Sequence, residues 1–380
     1  MSRRLQLESR GASPAEVEEL LAYNENVFDL GALTSKVRFP LPDEPFVAFW
    51  ETVEREARAR GAFPVLRDHL PQLRFPVRVG ISATADYRAA TRRGIPAETL
   101  PEATGLGLER PEAIEVVIHP SPAGRIPLLI ARGRGEFVAL IRALTKKNEP
   151  EPIPDAQGAL MVSGYNNWSR VGELRRRWEA MDPAERETAT WGEELQRSRR
   201  ELYQDRFILL SDGPYSAVPA VDLGLDEVEW REMSLVIRRE HECTHYLTRR
   251  LFGSMRNNLL DELIADYAGL VAATGGFRAD WFLRFVGLEE FPRYRPGGRL
   301  DLYRGKPPLS DGAFRVLQAL VKSAAENLER FDAGREPRSP EETTLTVAAL
   351  ASLRLEDLAS ERAGDLLAQA VAGLKRAATS

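Results

Sequence analysis

The sequence predicts an α+β protein, with a mixed α/β first half and a mostly helical second half. Three observations carry this. Short aliphatic and β-branched runs, bounded by Gly, Pro and Ser, cluster between residues 75 and 131. A stretch from Asn148 to Pro154 holds three prolines in seven residues and reads as a linker. From about residue 227 onward, apolar residues recur at helical spacing. The expected organisation is therefore an N-terminal region over 1–150 and a second region over 151–380.

The elements follow in order. Ser13-Pro14 opens an amphipathic helix that ends near Asn24. Pro40, Pro42 and Pro45 read as a connector, and 46–61 as a helix stopped by Gly61. Residues 75–81 read as a strand. Residues 113–118 and 126–131 read as a hairpin pair around Ser121-Pro122-Ala123-Gly124, followed by a helix over about 135–146. After the proline-rich stretch, 159–163 and 206–211 read as strands on either side of a charged helical stretch over about 171–204. Helices are expected over about 228–252, 259–273, 311–331 and 341–376, with the Pro- and Gly-rich residues 291–309 breaking the run.

Composition narrows the function classes. The 380 residues are 43% hydrophobic and 29% charged, which is the profile of a folded globular protein. A net charge of −5 argues against a nucleic-acid partner, because phosphate binding asks for a basic excess. No run of apolar residues reaches the length of a membrane span. The first residues carry Arg3 and Arg4 but no apolar core behind them, so no signal peptide is expected. The single cysteine, Cys243, cannot form an internal disulfide. A cytoplasmic protein is the expectation.

The chemistry concentrates in one pentad, His241-Glu242-Cys243-Thr244-His245, which reads H-E-x-x-H. On a helix, positions i and i+4 share a face, so both imidazoles can turn to one ion. Glu242 follows the first histidine and is placed to take a proton from a zinc-activated water. A catalytic zinc site needs a third protein ligand and an open position. No histidine follows His245, so that ligand must be a carboxylate. Seventeen residues on stands Asp261-Glu262-Leu263-Ile264-Ala265-Asp266, also at helical spacing. Glu262 and Asp266 share a face. One can ligate the metal while the other accepts the outer N–H of a ligand histidine. Cys243 is rotated about 200° from His241 and reads as a buried structural thiol. His69 and His119 stand alone and read as non-catalytic.

The two motifs together, H-E-x-x-H and then D-E-x-x-x-D, resemble the thermolysin-like gluzincin zinc metalloproteases. The resemblance covers about residues 230–275. It implies a zincin-like core within 151–380, a bound Zn2+ with His241, His245 and Glu262 as ligands, Glu242 as general base, and Asp266 behind His241. It also implies an edge strand that pairs with substrate, for which 159–168 or 206–211 are available. The family's oxyanion donors are a tyrosine and a distal histidine downstream. The histidine is missing here, so Tyr246, Tyr267, Tyr294, Tyr303 and Arg304 are the candidates, with Tyr246 and Tyr294 put forward as catalytic. The segment Arg293–Arg299 is a candidate loop over the site. The Asn-rich segment Gly253–Asn258 lies after the pentad and does not match the family's substrate motif.

Three functions are compatible with these residues. The first is a zinc-dependent peptidase or amidase acting on a peptide or small amide. The second is an intracellular zinc enzyme that acts on a small molecule or biosynthetic intermediate, favoured by the missing secretion signal and missing distal histidine. The third is a non-catalytic zincin-like binding protein, against which the intact Glu242 speaks.

Overall fold

The hairpin read from the turn Ser121–Gly124 is the start of a four-stranded sheet. Strand β1 (Ile114–Ser121) pairs antiparallel with β2 (Gly124–Ala131), closed by the two residues Pro122 and Ala123. Ser121 Oγ donates to Gly124 O at 2.6 Å and accepts from Ala123 N at 3.1 Å, which pins the turn. Strand β3 (Ala159–Asn166) and strand β4 (Gln204–Ser211) complete the order β1-β2-β4-β3. β2 and β4 run parallel and fill the middle, which is why both read as near-continuous apolar runs. A bulge at Ser163/Tyr165 bends β3, with Gly164 at φ 70°. In this computed structural model, residues 2–34, 37–182, 190–334 and 339–379 are described. The protein is α+β as expected, mostly helical with this one sheet among the described residues.

The chain divides into two units, and not at residue 150. One unit is Pro42–Gly213 and holds the sheet; the other joins Met1–Leu41 to Pro214–Ser380. The proline-rich stretch is no linker, because the two residues that open it are built into the first unit. Asn148 is fully buried and donates from Nδ2 to Gln72 O and Phe75 O at 3.0 and 2.9 Å. Glu149 accepts from Gly80 N and Ser82 N at 2.9 and 3.0 Å. The same bonds explain why 75–81 is not a strand. Its polar backbone groups are met by Asn148 and Glu149, and not by a neighbouring strand. Phe75 and Ile81 instead pack with Tyr87, Ala90 and Ala97.

Within the sheet-bearing unit, the helix Val47–Arg60 buries Trp50, whose Nε1 donates to Asp205 Oδ2 at 2.9 Å. Asn167 Nδ2 reaches the same oxygen at 2.6 Å and Arg170 takes the other one. Asp205 is thus a buried carboxylate with its lone pairs met. The helix expected over 135–146 is Arg134–Thr145. The charged stretch expected over 171–204 contains two short helices, Trp168–Glu179 and Trp191–Arg197. Residues 183–189 of that stretch lie outside the described residues.

The second unit is helical. The HECTH helix runs Glu227–Phe252. Asp226 caps it by accepting from Val228 N and Glu229 N, and Gly253 ends it at φ 73°. Residues 253–257 turn the chain into the DELIAD helix, Asn258–Thr274. The two helices pack along each other and approach closely at Gly269. A Cβ there would stand 2.6 Å from the carbonyl oxygen of Ile237. The Asn-rich turn is structural. Asn257 Nδ2 donates to Asn26 Oδ1 at 2.8 Å, and Asn258 Nδ2 to Tyr23 O at 2.6 Å. Asn26 Nδ2 in turn reaches Ala351 O at 2.8 Å. These amides tie the helix Pro14–Tyr23 and its following turn to the start of the DELIAD helix.

Behind this pair lie Ala279–Val286, Asp311–Ala333 and a C-terminal group. The helix expected over 341–376 is three helices, Pro340–Ala351, Leu355–Leu358 and Ala363–Thr379. The break has a local cause, since Asp357 turns back to accept from Arg354 N at 3.0 Å. Among the described residues, no helix is long and apolar enough to cross a membrane.

Candidate metal centre

The HECTH and DELIAD helices bring His241, His245 and Glu262 together inside the helical unit. All three are buried, and one ligand atom from each lies within 4.8 Å of the others. His241 Nε2 and His245 Nε2 are 2.9 Å apart. Glu262 Oε2 is 3.6 Å from the first nitrogen, and Glu262 Oε1 is 3.4 Å from the second. A tetrahedral ion about 2.0–2.1 Å from each ligand separates them by roughly 3.3 Å. The observed spacings bracket that value, so the three groups fit a single ion.

The outer edge of each ring is also held. His241 Nδ1 lies 2.7 Å from Asp266 Oδ1 and 2.8 Å from Tyr215 Oη. The Tyr215 hydroxyl donates to Asp266 Oδ1 at 2.5 Å. The proton of His241 therefore belongs on Nδ1, which leaves a lone pair on Nε2 facing the cluster. His245 Nδ1 lies 2.9 Å from Asp261 Oδ2, a contact by charge, since it lacks the alignment of a full hydrogen bond. Arg299 pairs with Asp266 Oδ2 and donates to Tyr215 Oη at 2.9 Å and Ser216 Oγ at 3.1 Å. Tyr215 sits on a turn where Ser216 and Ala217 both take left-handed backbone, φ 52° and 56°. Strained backbone of this kind is held in place only by its surroundings, and here it delivers the hydroxyl to His241. Burial, and then the charge of Glu262, push the pKa of the Tyr303 hydroxyl well up.

Charge decides what the cluster asks for. Asp261, Glu262 and Asp266 are buried, and Arg299 is the cation that Glu262 and Asp266 both face. Three carboxylates against one guanidinium leave a surplus of two negative charges. Buried charge must be matched. Without a metal, His245 meets part of the demand. Burial opposes a charged His245, but Asp261 and Glu262 outweigh it and lift its pKa well above 6.5. Burial likewise opposes an ionised Glu262, but His245, His241 and Arg299 outweigh it and hold that carboxyl well below its usual range. For Asp266 the same contest is won by Arg299 and then His241. A divalent cation cancels the surplus with both imidazoles neutral.

Of the other residues singled out in sequence, Glu242 is half-buried beside His241. Cys243 is buried, and burial pushes its thiol pKa well up. Tyr246 is a fully buried core side chain on the HECTH helix. Tyr294 is spent on its own loop, donating to Gly298 O at 2.7 Å and accepting from Asp301 N at 3.1 Å. Tyr267 donates to Asp332 at 2.8 Å, and Arg304 lies over the Phe314 ring. Among the downstream tyrosines considered, Tyr303 faces the charge of Glu262. Sequence reasoning missed Tyr215, which lies 26 residues before His241, and named Arg299 only as the end of a candidate loop, 33 residues after its partner Asp266. No spacing rule could have paired them. Asp261 had a readable signal, since it adjoins Glu262 in the same motif.

The buried pair of imidazoles, with outer contacts to Asp266, Tyr215 and Asp261, and the carboxylate of Glu262 form a group that could hold a metal ion. The chain belongs to a family described as a family of unknown function, DUF7005, whose model matches residues 5–362. No curated protein matches the chain, and no solved structure does.

Proposed function

We propose that this protein is a zinc-dependent hydrolase of peptide or small amide bonds, with a zincin-like catalytic core built on the HECTH and DELIAD helices. The observation that carries the reading is the buried His241–His245–Glu262 cluster with Glu242 beside it, intact and not spent on the fold. Among the described residues Glu242 makes no hydrogen bond or ion pair.

His241, His245 and Glu262 would hold the ion. Zn2+ suits two nitrogens and one carboxylate, and when bound it supplies Lewis acidity toward a carbonyl. The work of the chain is separate. Glu242 takes the proton from an attacking water and returns it to the departing amine. Asp266 and Tyr215 fix the ring of His241, and Asp261 holds the outer edge of His245.

The test is turnover. Purified protein, stripped with chelator and reloaded with zinc, is offered a panel of short peptides and small aryl amides. Zinc-dependent cleavage that disappears in Glu242→Gln, with zinc retained, supports the reading. Cleavage at the wild-type rate in Glu242→Gln removes Glu242 from the base role. Zinc-loaded protein that cleaves nothing in the panel removes the peptide and amide substrate class.

A further inference from the structure

Arg299 is the side chain on which the outer contacts of His241 converge. One of its terminal nitrogens pairs with Asp266 Oδ2. The other donates to Tyr215 Oη and Ser216 Oγ at 2.9 and 3.1 Å. Its guanidinium carbon lies 5.3 Å from the centroid of the Tyr215 ring. A single guanidinium thus touches both groups that contact Nδ1 of His241. Arg299 also begins the short turn Arg299–Tyr303. The buried Leu300 and the bond from Tyr23 Oη to Tyr303 O, 2.6 Å, hold that turn to the unit.

We propose that Arg299 is a positioning residue of the metal centre, which holds the ring of His241 in register through Asp266 and Tyr215. The inference rests on the metal-centre reading. Its physical basis is orientation. A buried carboxylate can turn about its own bond and offer either oxygen to the ring. With Oδ2 taken by Arg299 and Oδ1 by Tyr215 and His241, the plane of Asp266 is fixed, and the plane of the imidazole with it. A guanidinium suits this task because its donors point in fixed directions, whereas an ammonium supplies the charge without the fork.

Charge alone predicts the opposite effect. Removing a buried cation from beside Asp266 and Glu262 strengthens their pull on a divalent ion. The two ideas therefore separate in one variant. Arg299→Met keeps the stem and removes both fork and charge. Arg299→Lys keeps the charge. Arg304→Met perturbs the same segment through Asp311 and Phe314, away from the cluster.

The experiment measures the zinc dissociation constant by chelator competition, and the visible spectrum of the Co2+-loaded protein, for wild type and the three variants. Thermal midpoints of the metal-free proteins report folding. The expected result is about 10–100-fold weaker zinc binding in Arg299→Met with a changed cobalt spectrum. Arg299→Lys should fall between it and wild type, and Arg304→Met should match wild type. Equal or tighter binding in Arg299→Met overturns the proposal, as does an equal loss in Arg304→Met. If Arg299→Met does not fold, Arg299→Lys decides alone, and wild-type affinity there overturns the fork argument. A wild-type protein that takes up neither zinc nor cobalt sinks the metal-centre reading itself and this inference with it.

Discussion

Asp261 Oδ2 stands 2.9 Å from Nδ1 of His245, while the next residue, Glu262, faces Nε2 of the same ring at 3.4 Å. Neighbouring residues on one helix thus bracket a single imidazole. The consequence is a second supporting carboxylate besides Asp266. Asp261→Asn should weaken zinc binding about 10–100-fold, as should Asp266→Asn. Chelator competition on the two variants checks this. Wild-type affinity in Asp261→Asn would leave His245 without the support argued for it.

The close approach at Gly269 makes a second prediction. Ile237 precedes His241 by one helical turn, and Gly269 follows Asp266 by three residues. A Cβ at 269 meets the Ile237 backbone oxygen at 2.6 Å and its side chain at 3.0 Å, and backbone cannot swing away. Gly269→Ala should cost about 1–3 kcal/mol. It should also weaken zinc binding, because the helices that carry the ligands are forced apart. Thermal melts and metal competition on one sample measure both. Lost stability with unchanged affinity would show that the cluster does not depend on this helix spacing.

The metal-free protein should carry a pH signature. His245 has a folded pKa well above its ordinary 6.5, because Asp261 and Glu262 outweigh the effect of burial. A raised pKa means that folding favours the proton. The stabilisation is complete below the ordinary value and is lost as pH rises through the folded one. Thermal midpoints in chelator should therefore fall from about pH 6.5 upward. With saturating zinc the ligand imidazole stays neutral, and that slope should vanish. A flat series in chelator would contradict the charge argument.

Much of this was legible in the sequence. Both motif helices were, because each carries apolar residues at helical spacing and stops at a glycine, Gly253 or Gly275. The hairpin around Ser121–Gly124 was legible from its turn chemistry. The units divide elsewhere than residue 150 because prolines mark irregular backbone and not a boundary between units, and the side chains of Asn148 and Glu149 bond to residues within 72–82. The strand expected over 75–81 failed for the same reason, since alternation cannot say whether a partner strand exists. At the site, the candidates spaced three to five residues apart along a helix were readable. Tyr215 and Arg299 were not, because tertiary packing alone brings them to Asp266.

The central claim is that the cluster holds a metal, and the direct measurement is elemental analysis of protein purified without added metal, wild type beside His245→Ala. The expected result is about one zinc per chain in the wild type and loss of that zinc in the variant. Wild-type protein that carries no metal, and takes up none when zinc is offered at neutral pH, would contradict it.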